Sequence, residues 1–206
     1  MKLNGEGSAA RVPFSLWGIG AVWLALVVAG TISMMAYANK AGDTGIAPTD
    51  WPISNNIAHN SGKPTLVMFI HPKCPCSSAT IGELAVLMAH CAGRVDAHVF
   101  FVRPAGMAVE WVKTDTWAEA MRIPGVTVQR DDNGEEATRF GVKTSGDTAL
   151  YDTKGHLLFH GGITAARGHS GDNNGRDAIE ALLSNQPAPQ TTTPVFGCSL
   201  FSCPKQ

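Results

Sequence analysis

The sequence predicts an α/β sandwich with a mixed central sheet, preceded by one transmembrane helix. Three features of the 206-residue chain support this fold class. An apolar segment without charges lies near the N-terminus, strand-like and helix-like segments alternate after it, and the last two strand-like segments flank a tight turn. Alternating strands and helices are typical of a largely parallel sheet, and a terminal hairpin adds antiparallel pairing.

The apolar segment has the length and composition of a membrane anchor. No charged residue lies between Arg11 and Lys40, and residues 14–32 are long enough to cross a bilayer as a helix. We therefore predict an anchor over residues 12–38. A cleaved signal peptide is the alternative, because residues 36–38 (Ala-Tyr-Ala) match a small-x-small cleavage site.

The charges before the anchor predict its orientation. Lys2 and Arg11 precede the apolar segment, and the positive-inside rule places residues 1–11 in the cytoplasm. The rest of the chain then lies beyond the inner (cytoplasmic) membrane and faces the periplasm or the cell exterior. Cleavage of a signal peptide would export the same part of the chain.

The first strand and helix after the anchor are the most strongly patterned. Residues 64–70 (PTLVMFI) form a short apolar run of strand formers, as expected for a central strand that is covered on both faces. Residues 77–90 carry apolar side chains at helical spacing, so that one face of the helix is apolar. These side chains are Ile81, Leu84, Ala85 and Met88.

Seven further segments continue the alternation. A capping box at Thr116 and Glu119 begins a short helix that ends at Pro124, and a turn at residues 152–155 joins the two strands of a hairpin. In chain order the segments are strand 95–102, the short helix, strand 126–129, a helical turn over 135–140, strands 148–151 and 157–160, and helix 176–183 with Asp172 or Asn173 near its cap.

Composition predicts the boundaries of the folded domain. Gly, Pro, Asn, Asp and Thr are frequent in residues 39–61, which we interpret as a linker. Residues 185–206 begin with a stretch rich in Pro, Thr and Gln, and we predict a flexible tail that carries Cys198 and Cys203. The folded domain is then residues 62–184.

The overall charge excludes one class of function. The chain carries 16 basic and 17 acidic residues, for a formal net charge of −1. It has no basic field for non-specific nucleic-acid binding, and we expect no nucleic-acid partner. Five cysteines are also too few for a disulfide framework in a chain of this length.

The chemistry is predicted at Cys74-Pro75-Cys76, between the first strand and the first helix. Backbone N–H groups at a helix N-terminus favour an anion, so a thiol there has a lowered pKa and attacks disulfides as the thiolate. His71 and Lys73 are close enough in sequence to stabilise that thiolate, and Pro75 stiffens the turn. Cys76 would resolve a mixed disulfide. The small ring of a C-x-C disulfide would be strained, which predicts an oxidising couple.

The other three cysteines have different contexts. Cys91 ends the first helix among apolar residues and is interpreted as a packed hydrophobic residue. Cys198 and Cys203 could form a small disulfide loop in the tail. Alternatively, they could reach Cys74 as tethered resolving partners, because a flexible tether raises the effective concentration of a thiol.

These segments resemble the thioredoxin-like superfamily over most of residues 63–183. The similar segments are KPTLVMFIHPKCPCS, RFGV at residues 139–142, and the hairpin TALYDTKGHLLFHGG. The H-P-x-C-P-C segment further resembles membrane-tethered exported proteins of the RedB type. The resemblance implies a thioredoxin-like three-layer sandwich in which Cys74 is the nucleophile.

The resemblance is incomplete at three positions. Ser77 stands where the superfamily has its resolving cysteine, and Met68 stands where it has a buried acid. Gly146 lies near the position of the usual cis-proline. The resemblance implies that Ser145, Gly146 and Asp147 form the loop on which a client peptide docks.

We predict a membrane-anchored thiol–disulfide redox protein that uses the Cys-Pro-Cys segment in the exported compartment. Its partners would be thiol or disulfide client proteins, an electron donor in the membrane or the exported compartment, and the lipid bilayer. No cofactor and no resident metal is expected. One alternative is a copper-binding metallochaperone of the thioredoxin-like fold, because two cysteines and His71 are soft ligands suited to Cu(I). Others are a peroxidase, since a low-pKa cysteine can reduce peroxide, and a non-catalytic redox-sensing domain.

Overall fold

The chain divides into two units. The computed structural model describes residues 14–52, 57, 59 and 62–201. One unit ends at Ala38, and the other begins at Asn39.

The first unit contains helix α1, Phe14–Ala38. Its segment Trp17–Ala38 has a mean hydropathy of 2.1, and none of that apolar stretch is buried against protein. The helix is therefore long and apolar enough to cross a membrane, and it is a candidate single span. A signal sequence near the N-terminus can also form a helix that is long and apolar enough to meet this criterion.

A five-stranded mixed sheet forms the centre of the described part of the second unit. Its strands are β1 Thr65–Ile70, β2 Asp96–Arg103, β3 Val126–Asp132, β4 Asp147–Tyr151 and β5 Leu157–Gly161. Their order across the sheet is β3-β2-β1-β4-β5. The β1–β2 and β2–β3 pairs are parallel, whereas β1–β4 and β4–β5 are antiparallel. The predicted mixed sheet with its terminal hairpin is confirmed.

The α-helices of this unit follow the predicted order, three of them between strands and the last after β5. They are α2 Ser77–His90, α3 Asp115–Ala120, α4 Glu135–Arg139 and α5 Asn174–Leu183, with an unpredicted 3₁₀ helix at Val109–Val112. The capping box predicted at Thr116 is wrong, because the side chain of Thr114 instead accepts the N–H of Trp117 at 3.4 Å. Asn173, one of the two predicted caps of α5, accepts the N–H of Arg176 at 2.8 Å.

Apolar side chains cover both faces of the sheet. On β1, Leu66, Met68 and Ile70 join a core with α2, α3 and α5, whereas Val67 and Phe69 join the opposite core with α4. Because both faces are covered, β1 is apolar along its whole length. The domain is thus a three-layer sandwich with a thioredoxin-like fold, as the sequence predicts.

The C-terminal segment packs against the domain as far as the structure describes it. The N–H of His160, on β5, donates to the Thr191 carbonyl at 3.0 Å, and the N–H of Thr193 donates back to the His160 carbonyl at 3.3 Å. Val195 and Leu200 are fully buried. Composition predicts a flexible tail from residue 185. The structure differs from this prediction because the segment bonds to the edge of β5 and buries its own apolar side chains, Val195 and Leu200, in the domain.

Leu84 provides a test of the packing between α2 and the sheet. Its side chain is fully buried, so Leu84→Ala should lower the free energy of unfolding by about 2–5 kcal/mol. Val86 lies on the exposed side of the same helix, and Val86→Ala should change that free energy by no more than about 0.5 kcal/mol. Urea unfolding of the full chain in mild detergent, followed by tryptophan fluorescence, measures both values. Equal effects of the two substitutions would contradict the packing described for α2.

Candidate functional site

The Cys-Pro-Cys segment lies in the turn between β1 and α2, as the sequence predicts. The N–H of Cys74 donates to the His71 carbonyl at 3.1 Å, and the N–H of Ser77 donates to the Cys74 carbonyl at 3.0 Å. Cys76 is the N-cap residue of α2. The turn buries Cys74 at the start of the helix, leaves Cys76 partly exposed and leaves Pro75 on the surface.

The thiol of Cys74 has a pKa below the ordinary value for cysteine. Burial raises this pKa, but hydrogen bonds to the sulfur outweigh the effect of burial. The donors are the thiol and the N–H of Cys198, the N–H of Cys76 and the hydroxyl of Ser77. Hydrogen bonds to the charged form of a group favour that form, so the thiolate of Cys74 is stabilised.

Cys76 differs from Cys74 in its protonation. Burial raises the pKa of Cys76, and the charge of Cys74 and a hydrogen bond to Cys74 raise it further. The Arg167 guanidinium acts in the opposite direction. When Cys74 is the thiolate, its charge therefore favours the protonated form of Cys76.

The C-terminal segment brings a third cysteine to the site. The N–H of Cys198 lies 3.4 Å from the Cys74 sulfur, and the Cys198 carbonyl accepts the N–H of Ser145 at 2.8 Å. Burial, with the hydrogen bond to Cys74 and the charges of Cys74 and Cys76, raises the pKa of Cys198 to about 12. The structure thus brings Cys198 to the Cys74 sulfur. Cys203, the other predicted tail cysteine, lies outside the described residues.

Arg167 is the site residue that sequence reasoning missed. Its Nη1 donates to the Gly197 carbonyl at 2.6 Å, and its Nε donates to the Lys40 carbonyl at 3.0 Å. The charge of the guanidinium acts to lower the pKa values of Cys76 and Cys198, both of which burial raises. Arg167 follows no motif or periodic pattern, so only the folded chain shows that it lies near the thiols.

His71 and Lys73 support the turn through their own contacts. Nδ1 of His71 accepts the N–H of Lys73 at 3.2 Å, and the buried Nε2 has no hydrogen-bond partner among the described residues. Burial lowers the pKa of His71, which favours the neutral ring. The ammonium of Lys73 lies 3.7 Å from the ring centroid of Trp111. The hydrogen bonds that stabilise the Cys74 thiolate come from other residues.

The predicted docking loop lies beside the Cys-Pro-Cys turn. Oγ of Ser145 accepts the N–H of His71 at 2.8 Å and lies 2.9 Å from Oγ of Ser77. Gly146 has φ +92°, a conformation that favours glycine. The carboxyl group of Asp147 is fully buried with Nε2 of His160 2.9 Å away, so the Asp147 side chain does not reach the surface.

Cys91 lies apart from these thiols. It is fully buried in the core with α2, and burial raises its pKa, in keeping with its predicted packing role. Among the described residues, no group of three or more His, Cys, Asp or Glu side chains has an arrangement that could hold a metal ion.

Comparison with known proteins finds likeness in structure only. No protein-family model matches the chain, and no curated protein matches it. An uncharacterized conserved protein from Geobacillus kaustophilus is similar with a TM-score of 0.58 and 22% identity, over 82% of this chain and 95% of its own. A hypothetical protein from Sinorhizobium meliloti is similar with a TM-score of 0.57 and 21% identity, over 81% of this chain and 99% of its own. The fold is therefore shared, at low sequence identity, along nearly the whole length of both proteins.

The hydrogen bond from the Cys198 thiol provides a test of why the Cys74 pKa is low. Cys198→Ala removes the S–H donor and should raise the pKa of Cys74, whereas Cys198→Ser keeps a donor and should raise it less. The rate of iodoacetamide labelling of Cys74 against pH measures this pKa in the full chain. If the alanine variant labels with the same pH midpoint as the parent, the Cys198 thiol does not stabilise the thiolate.

Proposed function

We propose that this protein is a membrane-anchored thiol–disulfide oxidoreductase in which Cys74 is the attacking thiol. The observation that supports this function best is the set of hydrogen-bond donors around the Cys74 sulfur, which outweighs its burial and favours the thiolate. The thiolate is the form of cysteine that attacks disulfides. A second thiol, that of Cys76, lies two residues away and remains protonated.

The reaction proceeds in two exchange steps. The Cys74 thiolate attacks one sulfur of a client disulfide, so that a Cys74–client bond forms and the second client sulfur leaves as a thiolate. Cys76 then loses its proton and attacks the Cys74 sulfur, which forms a Cys74–Cys76 disulfide and releases the remaining client thiolate. The client gains two electrons and the protein pair loses two. The same steps in reverse oxidise a dithiol client, and the reduction potential of the protein couple sets the direction.

We propose that the first exchange step lowers the pKa of Cys76. The Cys74 charge is one of the causes that raise the Cys76 pKa, and this charge disappears when Cys74 enters the mixed disulfide. Arg167 then remains as a group that lowers the Cys76 pKa. Deprotonation of Cys76 becomes easier at the stage where its thiolate is needed.

We further propose that α1 anchors the domain in the inner membrane, with the domain facing the periplasm or the cell exterior. The apolar span and the two preceding basic residues, Lys2 and Arg11, support this orientation. An exported compartment allows disulfides to persist, so clients that contain disulfides or thiols would be available there. An electron donor in the membrane or the same compartment would complete the cycle. The H-P-x-C-P-C segment supports placing the protein with the RedB-type proteins.

The roles of the two sulfurs are tested by trapping. The full chain in detergent is reduced, mixed with oxidised glutathione and acid-quenched, and its adducts are located by mass spectrometry. In a chain that already carries Cys198→Ser, so that no second thiol lies against Cys74, adding Cys76→Ser should raise the fraction of Cys74 that carries glutathione several-fold, because the resolving thiol is lost. Cys74→Ser should leave no adduct above background at either position. Cys91→Ser is the matched control and should behave like the parent chain, since Cys91 is buried away from the site. Equal trapping through Cys76 in the Cys74→Ser variant would show that the roles are assigned to the wrong sulfurs.

The anchor is tested in membrane fractions of expressing cells. An uncleaved spanning helix should keep the full chain in the membrane pellet after an alkaline carbonate wash, and peptides from residues 14–38 should be present in that pellet. Release of a shorter chain that begins near Asn39 would instead show a cleaved signal peptide and contradict the anchor.

A further inference from the structure

We propose that Cys198 is a third exchange thiol, carried on a segment that occupies the place of a client peptide and forms a disulfide with Cys74 in the oxidised protein. This inference rests on the proposed function, because it requires Cys74 to be the attacking thiol. We call residues 197–200 the occluding segment.

The occluding segment pairs with the docking loop as an extended peptide would. The N–H of Ser145 donates to the Cys198 carbonyl at 2.8 Å, and the N–H of Leu200 donates to the Lys143 carbonyl at 2.9 Å. Between them, Thr144 and Ser199 form an antiparallel bridge. Peptides that add a strand to an exposed backbone edge obtain affinity from such main-chain bonds. A client that docks on the same backbone groups must displace the occluding segment.

The fit of the segment depends on Gly197. A Cβ atom at this position would lie 2.0 Å from the Ser145 carbonyl oxygen, so only glycine allows the two backbones to approach so closely. Arg167 donates to the Gly197 carbonyl at 2.6 Å, and Leu200 is fully buried in the core at the other end of the segment. Cys198 is therefore held in place from both sides.

This fit directs Cys198 at the attacking sulfur. The Cys198 N–H lies 3.4 Å from the Cys74 sulfur, and the Cys198 thiol donates a hydrogen bond to the same atom. The two residues are 124 positions apart in the chain, so no short covalent ring constrains a disulfide between them. A Cys74–Cys76 disulfide closes a small ring through Pro75, where the required bond geometry is harder to satisfy.

The Cys198 pKa depends on the charge of Cys74, as expected for a resolving thiol. Burial raises the Cys198 pKa most, a hydrogen bond to Cys74 and the Cys74 charge raise it further, and the Arg167 charge acts to lower it. A mixed disulfide on Cys74 has no such charge. The Cys198 proton is then lost more readily when the thiolate is needed.

The resolving step balances with the client disulfide as the oxidant. Cys74 has already formed a mixed disulfide with one client sulfur and released the other as a thiolate. Cys198 loses its proton to solvent, and its thiolate attacks the Cys74 sulfur. The Cys74–Cys198 bond forms, the Cys74–client bond breaks, and the second client sulfur leaves as a thiolate. The client has gained two electrons, and the Cys74 and Cys198 pair has lost two.

Disulfide mapping tests the proposal in the full chain. The reduced protein in detergent is oxidised with one equivalent of oxidised glutathione, its free thiols are blocked with N-ethylmaleimide at low pH, and its peptides are identified by mass spectrometry. Cleavage after Phe201 separates Cys198 from Cys203. We expect a peptide that links Cys74 to Cys198, present also in Cys76→Ser and Cys203→Ser chains and lost in Cys198→Ser. The Cys198→Ser chain should also hold several-fold more glutathione on Cys74 than the parent.

A second pair of variants tests the occluding segment without changing a cysteine. Gly197→Ala should displace the segment and reduce the yield of the Cys74–Cys198 link several-fold. Gly82 lies exposed in α2, and a Cβ there would meet nothing within 4 Å, so Gly82→Ala should leave the yield unchanged. Equal yields in the two variants would overturn the placement of the segment.

The outcomes separate this inference from the proposed function. Absence of the Cys74–Cys198 link, with glutathione still reacting at Cys74, overturns the role of Cys198 and leaves the oxidoreductase proposal intact. A Cys74 that does not react with glutathione at all overturns both. The link, its loss in Cys198→Ser and its decrease in Gly197→Ala together support the third thiol.

Discussion

The candidate site depends on the hydrogen bonds that the Cys74 sulfur accepts inside a buried turn. Burial alone favours the neutral thiol, which is the unreactive form. Donors from the start of α2 and from Cys198 reverse this preference, although they lie more than a hundred residues apart in the chain. The lowered pKa of Cys74 therefore depends on the start of the helix and on the C-terminal segment together.

The pairing of strands in the sheet brings the Cys-Pro-Cys turn and the loop before β4 together. β1 pairs with β4, and the N–H of Gly146, just before β4, donates to the Phe69 carbonyl at 2.8 Å. The turn after β1 and the loop before β4 must then lie side by side, as the bond from the His71 N–H to Ser145 shows. The sulfur of Cys74 and the backbone groups at residues 143–145 therefore lie close to one another. A single extended segment can contact both, and in this chain the segment with Cys198 does so.

Local patterns predicted the fold and the position of the Cys-Pro-Cys turn, whereas the long-range contacts could not be predicted. The apolar run of β1 and the helical spacing in α2 depend only on neighbouring residues, so the sequence predicts the bounds of both elements nearly to the residue. Thr114, rather than Thr116, caps α3. The sequence does not predict this residue, because the local side-chain pattern fits a helix start at either threonine. Arg167 and Cys198 lie in polar, glycine-rich or proline-rich stretches without periodicity. Their positions depend on pairings that only the folded sheet creates.

The occluding segment covers the docking loop, and how firmly it is held there depends on whether Cys74 is charged. In the proposed function, a client that used the backbone groups of Lys143 and Ser145 would have to displace the occluding segment, which these groups bind. The segment belongs to the same chain, so its effective concentration at these groups is high. Two of the segment's hydrogen bonds end on the Cys74 sulfur and are strongest when it is charged. Formation of a mixed disulfide removes the charge and weakens them. Before any disulfide forms, hydrogen bonding therefore holds the segment most firmly when Cys74 is the thiolate.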